Sequence, residues 1–175
     1  MRHADNGRAT DRQRTNGPGI LHIQATYTEA YCGGEDPGPE GMPRPYPCSG
    51  RMYIRKAIPD STGRFAMNDP DAPLLDSIQM NSDGHGWLDL PAGTYLIFDH
   101  DRVDRTRYDQ LIRDHEAGDM YTNPIDKACM DRWLHGPFPF HTITAGDTLH
   151  MPLPLHGQCP SFDVPCVVYR GPVPP

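Results

Sequence analysis

Alternation of apolar and polar positions predicts most of the elements in this chain. From Gly19 to Glu29, Leu21, Ile23, Ala25 and Tyr27 fall on one face and Ile20, His22, Gln24 and Thr26 on the other. That is a strand whose odd-numbered face meets the core. Arg51 to Ile58 alternates again, with Met52, Ile54 and Ile58 on one face. Asp76 to Phe98 (DSIQMNSDGHGWLDLPAGTYLIF) reads as strand, Asp83-Gly84 turn, strand, Pro91-Ala92-Gly93 corner and strand. The pattern predicts an antiparallel meander around which the rest of the chain packs.

The period changes after residue 104. Tyr108, Leu111, Ile112 and His115 lie at helical spacing, with Thr106 and Asp109 as a capping pair and Gly118 as a stop. A second helix is expected from Pro124 to about Leu134, capped by Asn123 and ended by Gly136. Its inward stripe would be Ile125, Ala128, Cys129 and Trp133. Trp87 and Trp133 are both expected in the core. Alternation returns from Phe138 to Leu155 around Ala145-Gly146. A hairpin there would set Phe140 opposite Met151, Phe138 opposite Leu153, and His141 opposite His150 on the outer face.

Composition sharpens this into a mainly β chain with many turns. Its 175 residues include 20 prolines and 17 glycines spread along the whole length, and they suffice for one domain with a real core. Residues 1–18 have no periodicity and read as a flexible lead, leaving 19–175 as the domain. Tyr31 to Gly50 is a Pro/Gly-rich loop, too rich in proline for a central strand, and it offers Tyr31, Met42, Arg44 and Tyr46 as binding-loop residues. A net charge of −7 disfavours nucleic acid and anionic membranes as partners. No apolar run approaches the roughly 18 residues that span a bilayer.

Five cysteines, at 32, 48, 129, 159 and 166, contain no CxxC pair. Two disulfides drawn from Cys32, Cys48, Cys159 and Cys166 are expected, with Cys129 either free or the partner of a C-terminal cysteine. A Cys32–Cys48 bridge would staple the long loop and contribute about 3 kcal/mol in the chain-entropy picture. Disulfides imply an extracytoplasmic site, although the polar start of the sequence shows no signal-peptide apolar core.

Candidate chemistry centres on the histidines. His141 and His150, paired across the proposed hairpin, could share Zn²⁺ or Cu²⁺ if His156 or a carboxylate supplied a third ligand. Asp99, His100 and Asp101, with Asp104 nearby, could offer oxygen ligands to Ca²⁺. No cofactor follows from the motifs. No serine sits in a GxSxG elbow, and no Walker or dinucleotide glycine motif is present.

Asp83, Gly84, Trp87, Leu90, Pro91, Gly93, Thr94 and Tyr95 together resemble the transthyretin-like β-sandwiches of the carboxypeptidase regulatory-like group. With Tyr31-Cys32-Gly33-Gly34 and Pro165 to Pro172, the chain is similar to exported bacterial proteins of that type. The resemblance implies an antiparallel seven-stranded sandwich, here with a two-helix insertion at 104–135. It also implies an exported, non-enzymatic module with a structural, binding or accessory role, acting on a protein or cell-envelope partner. Free edge strands in this fold allow edge-to-edge homodimers. The alternative is an enzyme on the same fold, either metal-dependent or similar to the hydroxyisourate hydrolases. Tyr169-Arg170-Gly171 matches the end of those hydrolases, although Pro172 stands where they carry serine.

Overall fold

The computed structural model describes residues 17–31, 38–157 and 164–172. Strands β1 (Gly19–Thr28), β2 (Tyr46–Pro47), β3 (Gly50–Lys56), β4 (Phe65–Ala66) and β5 (Asp76–Met80) come first, with a four-residue helix α1 (Gly38–Gly41) before β2. Next are β6 (His85–Leu90), β7 (Gly93–Phe98), a 3₁₀ turn (His100–Arg102), α2 (Arg105–His115) and α3 (Lys127–His135). The series closes with β8 (Phe138–Pro139), β9 (His141–Ile143) and β10 (Thr148–His156).

One sheet is built on β1, which pairs with β10 on one side and with β6 and β2 on the other. The second runs β5-β3-β7-β9, and β4 pairs with β8 apart from both. Leu21, Ile23, Ala25 and Leu90 of the first sheet meet Ile54, Ile78, Met80, Tyr95 and Ile143 of the second in one buried cluster. The odd-numbered face of β1 is therefore the core face, as its alternation predicts.

The strands of the Asp76–Phe98 stretch form where expected but do not form a meander within one sheet. β5 pairs with β3, β6 crosses to pair with β1, and β7 returns to β3. The Asp83-Gly84 turn and the Pro91 corner thus carry the chain between layers. The corner is fixed by Tyr95, whose hydroxyl donates to the Pro91 carbonyl at 2.6 Å. That closure, a tyrosine reaching back over a strand junction, gives the Leu90-Pro91-x-Gly93-x-Tyr95 pattern a physical reason.

The expected hairpin at Ala145-Gly146 is not formed. β9 joins β7, placing His141 beside Tyr95, whereas β10 lies parallel to β1, with Met151 beside Ile23. The turn at 144–147 passes between sheets, its Gly146 N–H bonded to the Pro18 carbonyl. One strand pair is therefore parallel, not antiparallel. At its two ends Ile20 N–H donates to Asp147 O and Gly157 N–H donates to Thr28 O. Odd-numbered residues of β10 consequently turn their N–H groups to β1, and even-numbered ones, Pro152 and Pro154 among them, turn away.

The outer layer over β3 and β7 is helical and loop-built. Leu96, Phe98, Ala57 and Ala66 bury there with Val103, Phe138 and Phe140 alongside. α2 is capped by Asp104, which accepts from the Thr106 and Arg107 amides, rather than by Thr106. α3 begins at Lys127 with Asp126 as cap, three residues later than its proline suggests. Its buried residues are Met130 and Leu134, while Ala128 is exposed. β3 ends at Lys56, leaving Ile58 exposed.

Candidate functional site

Alternation on three neighbouring strands delivers the site. His22 on β1 has His150 of β10 on one side and Trp87 of β6 on the other, all in register, and His85 lies diagonally two residues from Trp87. The inward neighbours Leu21 and Ile23 are fully buried, so the even positions of β1 face outward.

His22 is the hub. Its Nδ1 lies 2.8 Å from His150 Nδ1, and its Nε2 lies 2.9 Å from His85 Nδ1. Each contact needs one proton, and a neutral imidazole has one to give and one lone pair to offer. His22 therefore donates to one neighbour and accepts from the other. Its pKa is lowered by desolvation and then by repulsion from His150 and His85, which favours the neutral ring. The His22 and His85 rings are 5.1 Å apart at 11°, and Trp87 is nearly parallel to both, at 4.9 and 5.5 Å. The 2.9 Å contact between ring nitrogens therefore runs edge to edge, with His22 and His85 side by side and nearly coplanar and the indole nearly parallel to both. His150 stands edge-on to His22 at 89°. Trp87 is 58 % exposed, so it belongs to the surface and not to the core.

The turn before β6 aims His85. Asn81 Oδ1 accepts from the Asp83 and His85 amides, and the Gly84 N–H donates to Asn81 O. Gly84 has φ +78° and its carbonyl accepts from Ala25 N–H, while a Cβ there would collide with the Ala25 oxygen. Only glycine fits this junction.

The other expected site residues are dispersed. His141 is opposite Tyr95 in the second sheet, so it does not meet His150, whose partner is His22. Burial lowers the His141 pKa. Cys129 is joined to Cys166, with Cα atoms 5.7 Å apart. Cys48, expected in a disulfide, is a free thiol packed against the main core. Cys32 and Cys159 lie outside the described residues. Met42, Arg44 and Tyr46 are exposed along one loop, with Tyr46 packed edge-on to Tyr27, and Tyr31 is exposed at the loop's start.

The acidic group after β7 has structural partners. Asp99 caps the 3₁₀ turn and pairs with Arg102, Asp101 pairs with Arg107, and Asp104 caps α2. Tyr169 and Arg170 are tied by backbone bonds to residues 121–122. Among the described residues, no three His, Cys, Asp or Glu side chains are grouped to hold a metal ion, and no helix is long and apolar enough to cross a membrane.

The His22–His85–His150–Trp87 group has no short spacing in the sequence: the hydrogen-bonded pairs are 63 and 128 residues apart. The only signal is that each histidine occupies the outward phase of an alternating strand.

No family model matches the chain, and no curated protein matches it. Two solved structures are similar to it at low level. One is GBS52, the minor pilin of the Gram-positive pathogen Streptococcus agalactiae, with 13 % identity and a TM-score of 0.37 over 80 % of this chain and 44 % of that one. The other is the Bacillus anthracis TIE protein, with 11 % identity and a TM-score of 0.35 over 80 % of this chain and 16 % of that one. The chain thus spans less than half the length of either, and scores of this size do not establish a shared fold.

Proposed function

We propose that this chain is an exported, non-enzymatic β-sandwich module whose working surface is the outer face of the β10-β1-β6 sheet. The observation that carries the reading is the exposed indole of Trp87, stacked on a hydrogen-bonded imidazole pair on the outer face of the β10-β1-β6 sheet. An ordered aromatic on a flat, solvated face is suited to contact with a partner. The partner is a protein or cell-envelope component.

Several features support the finer fold. With the two-residue β2 set aside, the sheets hold seven strands: β10, β1 and β6 in one, and β5, β3, β7 and β9 in the other. The Tyr95 corner fits a transthyretin-like plan, with α2 and α3 as the insertion. Residues 19–175 form one domain behind the 1–18 lead. The Cys129–Cys166 bridge supports an oxidising, extracytoplasmic location.

In-cell alkylation followed by mass mapping should find Cys129 and Cys166 protected and Cys48 alkylated on unfolding; thiols at 129 and 166 in the native host would overturn export. Retention on the host's cell-envelope fraction should fall at least tenfold on Trp87→Ala without a change in melting temperature. Hydrolysis of hydroxyisourate that vanishes with His22→Ala would overturn the non-enzymatic reading.

A further inference from the structure

We propose that His22 and His150 form a two-nitrogen seat for copper(II), with His85 positioning the hub ring. The seat is independent of the module reading, because it rests on ring geometry alone.

The two Nδ1 atoms are 2.8 Å apart, on strands held in continuous register from Ile20–Thr148 to Thr28–His156. Two nitrogens in adjacent corners of a square-planar copper site, each about 2.0 Å from the ion, are about 2.8 Å apart, and tetragonal N/O coordination is the copper(II) preference. Tetrahedral zinc, with Zn–N of about 2.0–2.1 Å, needs about 3.3 Å between them. The spacing between the two nitrogens therefore matches copper, each ring tilting to bring its lone pair onto the ion, and would have to open further for zinc. Copper also heads the affinity order of divalent first-row ions.

His85 supplies the support that a ligating imidazole needs. When His22 Nε2–H donates to His85 Nδ1, the His22 Nδ1 lone pair faces His150, and that hydrogen bond is in place at 2.9 Å. Trp87, stacked 4.9 Å from His22, keeps the ring from turning. In this protonation state the proton between the two Nδ1 atoms belongs to His150. Copper takes its place, and His150 carries its proton on Nε2 instead, so no charge other than the metal's is added. Among the described residues no third such side chain completes a set, so the remaining positions fall to water or to an oxygen ligand of a partner. The ion would sit open to solvent beside the exposed indole.

The experiment titrates the full-length chain with copper(II) chloride, in a His3→Ala background so that the histidine near the start of the sequence cannot compete. Electron paramagnetic resonance and tryptophan fluorescence are read together. The expected result is one tetragonal copper with nitrogen hyperfine coupling and quenching of Trp87. His150→Ala or His22→Ala should weaken binding at least tenfold, His85→Ala about tenfold, and His141→Ala should leave it unchanged. Trp87→Phe should abolish most of the quenching while keeping the resonance signal. Zinc chloride should compete at least tenfold more weakly. Copper binding that survives both His150→Ala and His22→Ala with intact melting curves would overturn the seat. Equal affinity for zinc would overturn the square-planar geometry, and no binding by the folded chain would overturn both.

Discussion

Arg55 is 4 % exposed, and its guanidinium donates to the Ala72 and Pro70 carbonyls and to Asn68 Oδ1. Asn68 in turn donates through Nδ2 to the Leu134 carbonyl at the end of α3. A buried guanidinium keeps its charge, so losing the Asn68 oxygen leaves its Nη1–H without this acceptor in a desolvated site while the two carbonyl bonds remain. Asn68→Ala should cost about 2–4 kcal/mol, read from the urea midpoint. A loss below about 0.5 kcal/mol would mean that the link between the 68–72 loop and α3 carries no stability. His141 gives a second prediction. Burial holds its pKa below the ordinary value of about 6.5. As pH falls through that value the unfolded chain binds a proton that the folded chain resists. The stability is thus complete above about pH 6.5 and is lost on acidification. His141→Gln should flatten the decline in stability between pH 7 and pH 5 measured by urea melts, and an unchanged slope would assign the decline to other groups.

The elements carry their own tests. Gly84→Ala places a methyl group against the Ala25 carbonyl at a left-handed residue, so it should destabilise by about 1–3 kcal/mol and disturb His85. Removing the Cys129–Cys166 bridge by a double Cys→Ser change should lower stability by about 3–4 kcal/mol, given the 37-residue separation. An equal midpoint for oxidised and double-serine chains would contradict that figure. The four-residue α1 lies in a stretch that reads as a loop, whereas most strands and the helices α2 and α3 were legible in the sequence, because periods of 2 and 3.6 are local. Sheet membership was not. Alternation tells which residues of β5, β6 and β7 are buried, yet the same alternation serves a hairpin within one sheet and a crossing between two. The 138–155 segment shows the same degeneracy. Met151 faces the core whether its neighbour is Phe140 or Ile23, so a consistent apolar face could not select between them. The histidine group was hidden for that reason: its members meet only through long-range pairing. The caps of α2 and α3 differed from expectation because aspartate at 104 and 126 competed with neighbouring Thr106 and Asn123, and both types cap well.

At the scale of the whole molecule, the parallel β1/β10 pair leaves β10 without a second strand among the described residues. Pro152 and Pro154 occupy its outward-turned phase, between His150 and His156. A second chain laid along this border would find two consecutive donor positions empty, while the histidine face beside it stays uncovered. Replacing both prolines with threonine should restore the donors and raise self-association in sedimentation velocity, whereas a monomer at equal concentration would show that another feature guards the border. The two prolines therefore give the molecule a polarity in crowded surroundings. It can be approached across its imidazole-bearing face, while pairing of copies strand to strand along β10 is opposed at the rim of that face.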